Sequence, residues 1–187
     1  MLKEKYEYKS IDRVTVNGNR HYQTPTGSPL PSVTTVLSSL ADKTAIYEWR
    51  KRVGNEEANR ITKLATGIGT QVHLHLEKYI LEEDRPGGTN LIHQMAHSLS
   101  DIVIERGLSN IDEVWIDDYF LQCAAYAEAH NQLYGTEIKT SVIMMIGWDA
   151  EADNLGNYQE FVVQDEEYDK YSLQWANKVQ EYFDKFM

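Results

Sequence analysis

The stretch from Gly67 to Leu81, GIGTQVHLHLEKYIL, does most to limit what this chain can become. Two glycines lead into a run with helical periodicity, and Thr70 falls where a first-turn hydroxyl can meet unpaired backbone N–H groups. Inside the helix His73 and Glu77 are four residues apart, so both side chains leave one face. On a helical wheel they flank an apolar stripe of Val72, Leu76, Tyr79 and Ile80, which predicts that both are half-buried. An imidazole and a carboxylate held there need a partner: each other, a third side chain, or a cation.

A chain of 187 residues suits one domain, 1–187, with a substantial core. Twelve tyrosines and four tryptophans argue against disorder, and the single cysteine, Cys123, excludes an intrachain disulfide and fits a reducing compartment. No apolar run approaches membrane-spanning length, and MLKEKYEYK at the start lacks the apolar core of a signal peptide. The expectation is a cytoplasmic protein with no membrane partner. The net charge of −11 matters more, because proteins that hold nucleic acid through phosphate contacts alone are normally basic. Any such grip must be local. Lys43, Arg50, Lys51, Arg52 and Arg60 form the one cationic cluster, and charge alone reads it as a solvated helix face.

In chain order, residues 12–24 carry Asn17-Gly18 between alternating segments, which predicts a tight β-hairpin. Pro25 to Pro31 read as a loop. Ser32 caps a short helix to Leu40, and Asp42 caps a second that Gly54 closes. Asn55 to Ala65 read as a third helix, separate from the one that follows the glycines. Arg85-Pro86-Gly87-Gly88 end that helix, and Asn90 to Arg106 form another, with Gly107 at its exit. Residues 116–134 form a helix that is apolar or small around most of its circumference, with Asp117 and Asp118 suited to its first turn. Gln122 in this helix must find a hydrogen-bond partner. Gly135 stops it, residues 138–147 and 157–164 read as antiparallel neighbours, and 166–186 as a C-terminal helix.

Simple catalytic signatures are absent: there is no phosphate-binding glycine loop, no Gly-x-Ser-x-Gly and no paired-cysteine zinc spacing. His73 and His75, two apart on a helix, point to different faces. His93 and His97 have i,i+4 spacing without the glutamate of a zinc protease, and read as surface or packing histidines.

Three segments taken together, PSVTTVLSSL, then IYEWRKRVGNEEANRITKLATGIGTQVHLHLEKYI, then DDYFLQCAAYAEAHNQLYGTEIKTSVIMM, resemble phage-type exonucleases of the PD-(D/E)xK superfamily. The likeness is to the RecB-like branch, which includes the mitochondrial genome maintenance exonuclease. The resemblance implies a phage-encoded enzyme acting in a host cell on single-stranded DNA ends, with Mg²⁺ or Mn²⁺ as cofactor. It places a metal-holding role on His73, with Glu77 beside it in the G-T-x-x-H-x-x-x-E segment. It places supporting catalytic roles on Gln122 and Tyr126, and the single-strand path on Ser32, Thr34, Trp49, Arg50 and Arg52.

One part of that pattern is missing. The family sets three strands between the histidine helix and the Gln-x-x-x-Tyr helix, bearing an aspartate and then Glu/Asp-x-Lys, whose carboxylates hold the cations. Here IDEVW (111–115) runs directly into IDDYF (116–120), as though several tens of residues had been removed at Trp115/Ile116. Asp112 and Glu113 precede the gap, and Glu137-Ile138-Lys139 follows the Gln-x-x-x-Tyr helix and so stands in the wrong place. The expected fold is therefore α+β and mostly helical, a reduced nuclease core with an N-terminal hairpin and one residual pair, 138–146 with 158–163. The open edge of that pair invites a homodimer. The expected function is that of a DNA exonuclease family member impaired in catalysis. The alternative is a non-catalytic module that binds single-stranded DNA weakly, or an acidic helical interaction module.

Overall fold

The computed structural model describes residues 6–106, 117–149 and 154–187, and the chain is a mostly helical α+β protein. The strands β1 (Arg13–Val16), β2 (Asn19–Tyr22) and β3 (Leu30–Pro31) are followed by helices α1 (Val33–Leu40), α2 (Thr44–Val53) and α3 (Asn55–Ile80). Then come α4 (Leu91–Arg106), α5 (Asp117–Tyr134), strands β4 (Thr140–Asp149) and β5 (Asn154–Gln164), and α6 (Asp165–Phe186). The described residues fall into two compact units, one of 8–41, 117–143 and 160–187, the other of 6–7, 42–106, 144–149 and 154–159.

In the first of these units β1 and β2 pair antiparallel, with Val14 opposite His21 and Thr15 opposite Arg20. Asn17 (φ 50°) and Gly18 (φ 78°) both adopt the left-handed conformation, the two-residue turn that Asn-Gly predicts. The stretch read as a plain loop differs in one respect: Leu30 and Pro31 add a short third strand to β2. Side chains tie the loop back on itself, Gln23 donating to Gly27 O at 2.8 Å and Thr24 to Ser28 O at 2.7 Å, and this delivers Leu30 to the sheet. Proline is tolerated there because the strand is at an edge.

Ser32 then opens α1 as expected, its hydroxyl accepting from Thr35 N–H at 3.1 Å. One apolar cluster joins α1, α5, the end of β5 and α6. It contains Leu37, Leu121, Ala124, Ala127, Val163, Tyr168 and Tyr171, with Val33, Phe120 and Trp175 at its margin. The alanines of α5 explain its burial on several sides, since small side chains let neighbouring helices approach closely. Within this cluster the Glu128 carboxylate accepts from Tyr168 Oη at 3.0 Å and from Ser172 Oγ at 2.8 Å.

In the other unit α2 begins at Thr44, so its cap is Lys43, one residue past the expected Asp42. Asp42 Oδ1 still accepts from Thr44, from its N–H at 2.8 Å and its hydroxyl at 2.6 Å, and these bonds hold the Asp42 carboxyl below the usual carboxylate range. Gly54 (φ 87°) ends α2. Beyond it the structure corrects the sequence reading. Residues 55–80 are one continuous 26-residue helix, with Gly67 and Gly69 in its interior. Thr70 accordingly lies in mid-helix, and its hydroxyl donates to Thr66 O at 2.8 Å instead of meeting free N–H groups. Two interior glycines cost about 1 kcal/mol each relative to alanine, and packing against α4 offsets this, with Ile68, Val72, Leu76 and Ala96 in contact beside Tyr158. A Cβ on Gly67 would lie 3.7 Å from Ile92 Cδ1, so the helices meet near this glycine without requiring it.

Strands β4 and β5 form the second, two-stranded sheet, the neighbours expected from residues 138–147 and 157–164, and each contributes residues to both units.

Candidate functional site

Helix α2 buries none of its residues. Tyr47 is 63% exposed, Trp49 and Arg50 are half-buried, and Lys51 and Arg52 are exposed. Arg50 Nη2 donates to Asn59 Oδ1 at 2.6 Å, a neutral partner that leaves its charge uncompensated. Arg60, by contrast, is held in two bonds to Glu57 at 2.8 and 2.7 Å, which raise its pKa and lower that of Glu57. Among the described residues no carboxylate pairs with Lys51 or Arg52. The last turn of α2 is thus a small cationic spot, with Tyr47 and Trp49 one helical turn before Lys51 and Arg52, and the carbonyl end of the helix favours cations there.

Ser32 and Thr34 sit in the other unit. Ser32 is buried and spends its hydroxyl on the α1 cap, while Thr34 Oγ1 accepts from the Arg20 guanidinium and Thr35 donates to Arg20 O at 2.8 Å. Ser32 is therefore structural in this arrangement, and Thr34 is the more accessible of the two. Gln122 finds its partner on its own helix, donating through Nε2 to Tyr126 Oη at 2.8 Å, and the Tyr126 ring is 53% exposed. Asp112, Glu113, Trp115 and Ile116 lie outside the described residues, as does the side chain of Asp117. Glu137 is exposed, and Lys139 Nζ is 3.1 Å from Asp169 Oδ1 in a surface ion pair, which gives this lysine a partner away from any cation site.

His73 and Glu77 are both exposed, not half-buried, and no hydrogen bond joins them among the described residues. The cause is the continuity of α3. A wheel that starts at Gly67 centres its stripe on Leu76 and Ile80, but the whole helix buries Val72 and His75, with Ile68 and Leu76 partly buried beside them. That rotates the buried face towards His75 and turns His73 and Glu77 to solvent. One exposed imidazole and one exposed carboxylate on a single helix do not fit Mg²⁺, which takes a near-octahedral shell of oxygens. Among the described residues no group of three or more His, Cys, Asp or Glu side chains is already disposed to hold a metal ion.

The histidine that matters to packing is His75, fully buried on α3. His93 and His97 of α4 close around it, with His75 Nε2 3.4 Å from His93 Nδ1 and the His97 ring edge-on at a centroid distance of 4.3 Å. Burial, then the neighbouring His97 and His93, hold the His75 pKa below its ordinary value. Arg85 stands nearby, donating to Ser100 at 2.8 Å and to Asp101 at 2.7 Å. The sequence carried a signal for this cluster: His75 follows Ile68 and Val72 at helical spacing, once the glycines are read as interior.

Compared with protein-family models, curated proteins and solved structures, the chain matches none.

Proposed function

We propose that this chain derives from the phage-type, RecB-like PD-(D/E)xK exonucleases and binds single-stranded DNA weakly without cutting it. The observation that carries the reading is the last turn of α2, where Lys51 and Arg52 lack carboxylate partners among the described residues and follow Tyr47 and Trp49 at i,i+4 and i,i+3 spacing. A cationic spot next to aromatic faces supplies the two elements that hold a single strand: phosphate attraction and base stacking. The ordered motifs of the sequence support the ancestry. Loss of cleavage follows from the missing strands, since no aspartate and Glu-x-Lys pair stands between His73 and Gln122 in the order that the family uses.

The test is a fluorescein-labelled single-stranded oligonucleotide, mixed with protein at low salt in the presence of Mn²⁺ and then recovered for sizing. The expected result is a rise in anisotropy with the oligonucleotide recovered at full length. The double variant Lys51→Ala, Arg52→Ala should weaken binding by about tenfold per cation at 50 mM salt. Shortened DNA, produced by the wild type and lost in His73→Ala, would overturn the non-cleaving part. No anisotropy change at low salt would overturn the binding part.

A further inference from the structure

Helix α5 turns two opposite faces to two environments. Leu121, Ala124, Ala125 and Ala127 are buried, whereas Tyr119, Tyr126 and Leu133, seven residues apart, are 54%, 53% and 75% exposed. With Gln122 and the exposed Ala129 between them, these residues recur at intervals of three and four. That is the a/d seam by which one helix packs along another, and here it runs for about 21 Å.

The spacing selects a helix as occupant, and charge says which one. Charged residues make up 25% of the chain, yet Glu128 is the only Asp, Glu, Lys or Arg between Tyr119 and Leu133. Its carboxylate is turned inward, to Tyr168 and Ser172. Tyr8 continues the uncharged surface at the C-terminal end of the helix, exposed and with its ring edge-on to Tyr134 at a centroid distance of 5.4 Å. Two copies of a chain with a net charge of −11 repel one another, and on this face they can meet without juxtaposing like charges. The seam is also self-complementary. Tyr126 is its midpoint, so an antiparallel pair with a two-fold axis beside Tyr126 sets Tyr119 against the partner's Leu133 and Gln122 against the small side of the partner's Ala129. Gln122 Nε2 already donates to Tyr126 Oη at 2.8 Å within each copy, so this polar pair enters the interface hydrogen-bonded. We propose that the exposed face of α5 is a self-association surface, on which a second copy of this chain packs its own α5 antiparallel about a two-fold axis at Tyr126. One helix pair buries less than the roughly 800 Å² per partner of a standard interface, which sets the dimer in the micromolar range. The surface is distinct from the edges of β4 and β5, and it stands whether or not α2 holds DNA.

The test is sedimentation velocity of the full chain over a series of micromolar concentrations, at low and at high salt. The expected result is a monomer–dimer equilibrium that strengthens with salt, because salt screens the net repulsion while an uncharged seam loses nothing. Tyr126→Glu and Leu133→Glu, both at exposed positions, should each weaken the dimer about tenfold or more by placing a charge in the seam. The axis is tested by cross-linking. In a Cys123→Ala background, Tyr126→Cys should form an intermolecular disulfide under mild oxidation about tenfold faster than Leu173→Cys, an equally accessible position on α6. Far-UV circular dichroism checks each variant, and the cross-linking pair decides the matter where a glutamate variant does not fold. A monomer at every concentration, a dimer indifferent to both glutamates, weakening of the dimer by salt, or cross-linking no faster at 126 than at 173 would overturn the proposal.

Discussion

The Ser32 hydroxyl links the hairpin unit's loop to its first helix, accepting from Thr35 N–H within a network that also holds Thr35 Oγ1. Because Ser32 is buried, removing the hydroxyl strands donors that water cannot reach. Ser32→Ala should lower stability by about 1–2 kcal/mol in urea unfolding, and Ser32→Thr should recover most of it. Tyr168 gives a second test at this scale. Its burial and its bond to the Glu128 carboxylate raise its pKa above the ordinary tyrosine value. A folded pKa above the unfolded one means a contribution fully present below about pH 10 and lost as pH rises beyond it. Tyr168→Phe should cost about 1–2 kcal/mol at neutral pH, where Glu128 keeps only Ser172, and should flatten the alkaline fall in the stability curve. An equally steep alkaline fall in the variant would place the titrating group elsewhere. At this scale the sequence was informative wherever the partner is local. Ser32 with Thr35 and Gln122 with Tyr126 could be read from spacing, whereas His75 with His93 and His97 depends on two helices meeting.

Element boundaries were legible where a turn needs a left-handed residue, as at Asn17-Gly18, Gly54 and Gly135. They were illegible where glycine adopts ordinary helical angles, because a propensity cost of about 1 kcal/mol is easily offset by packing that the sequence does not display. Gly67 and Gly69 are the case in point, and reading them as a helix start misplaced the buried face and with it the choice between His73 and His75. Continuity of α3 predicts that Gly69→Ala, with open space around the new Cβ, stabilises the protein by about 0.5–1 kcal/mol in thermal or urea unfolding. A loss of stability would mean that the glycine serves a break that α3 does not contain. The β3 strand was hidden for a similar reason, since Leu30-Pro31 is a strand only because β2 offers it an edge.

For the molecule as a whole, the mixed, mostly helical fold and the β4–β5 pair were legible in the sequence, while the proposed nuclease ancestry rests on the order of its motifs alone. Among the described residues no third strand joins β4 or β5. Pairing of two copies through that edge should give a concentration-dependent dimer in light scattering, and a monomer at every concentration would show that the edge needs no partner. Charge sets the other expectation. At a net charge of −11, the cations of α2 can hold phosphate only where salt leaves them unscreened. The most direct measurement is therefore the affinity for a labelled single strand across a salt series, for the wild type and for the Lys51→Ala, Arg52→Ala variant. Three phosphate contacts through Arg50, Lys51 and Arg52 predict a log–log slope of about −2, falling to about −0.7 in the variant. No binding at low salt, or a slope that the variant leaves unchanged, would contradict the account.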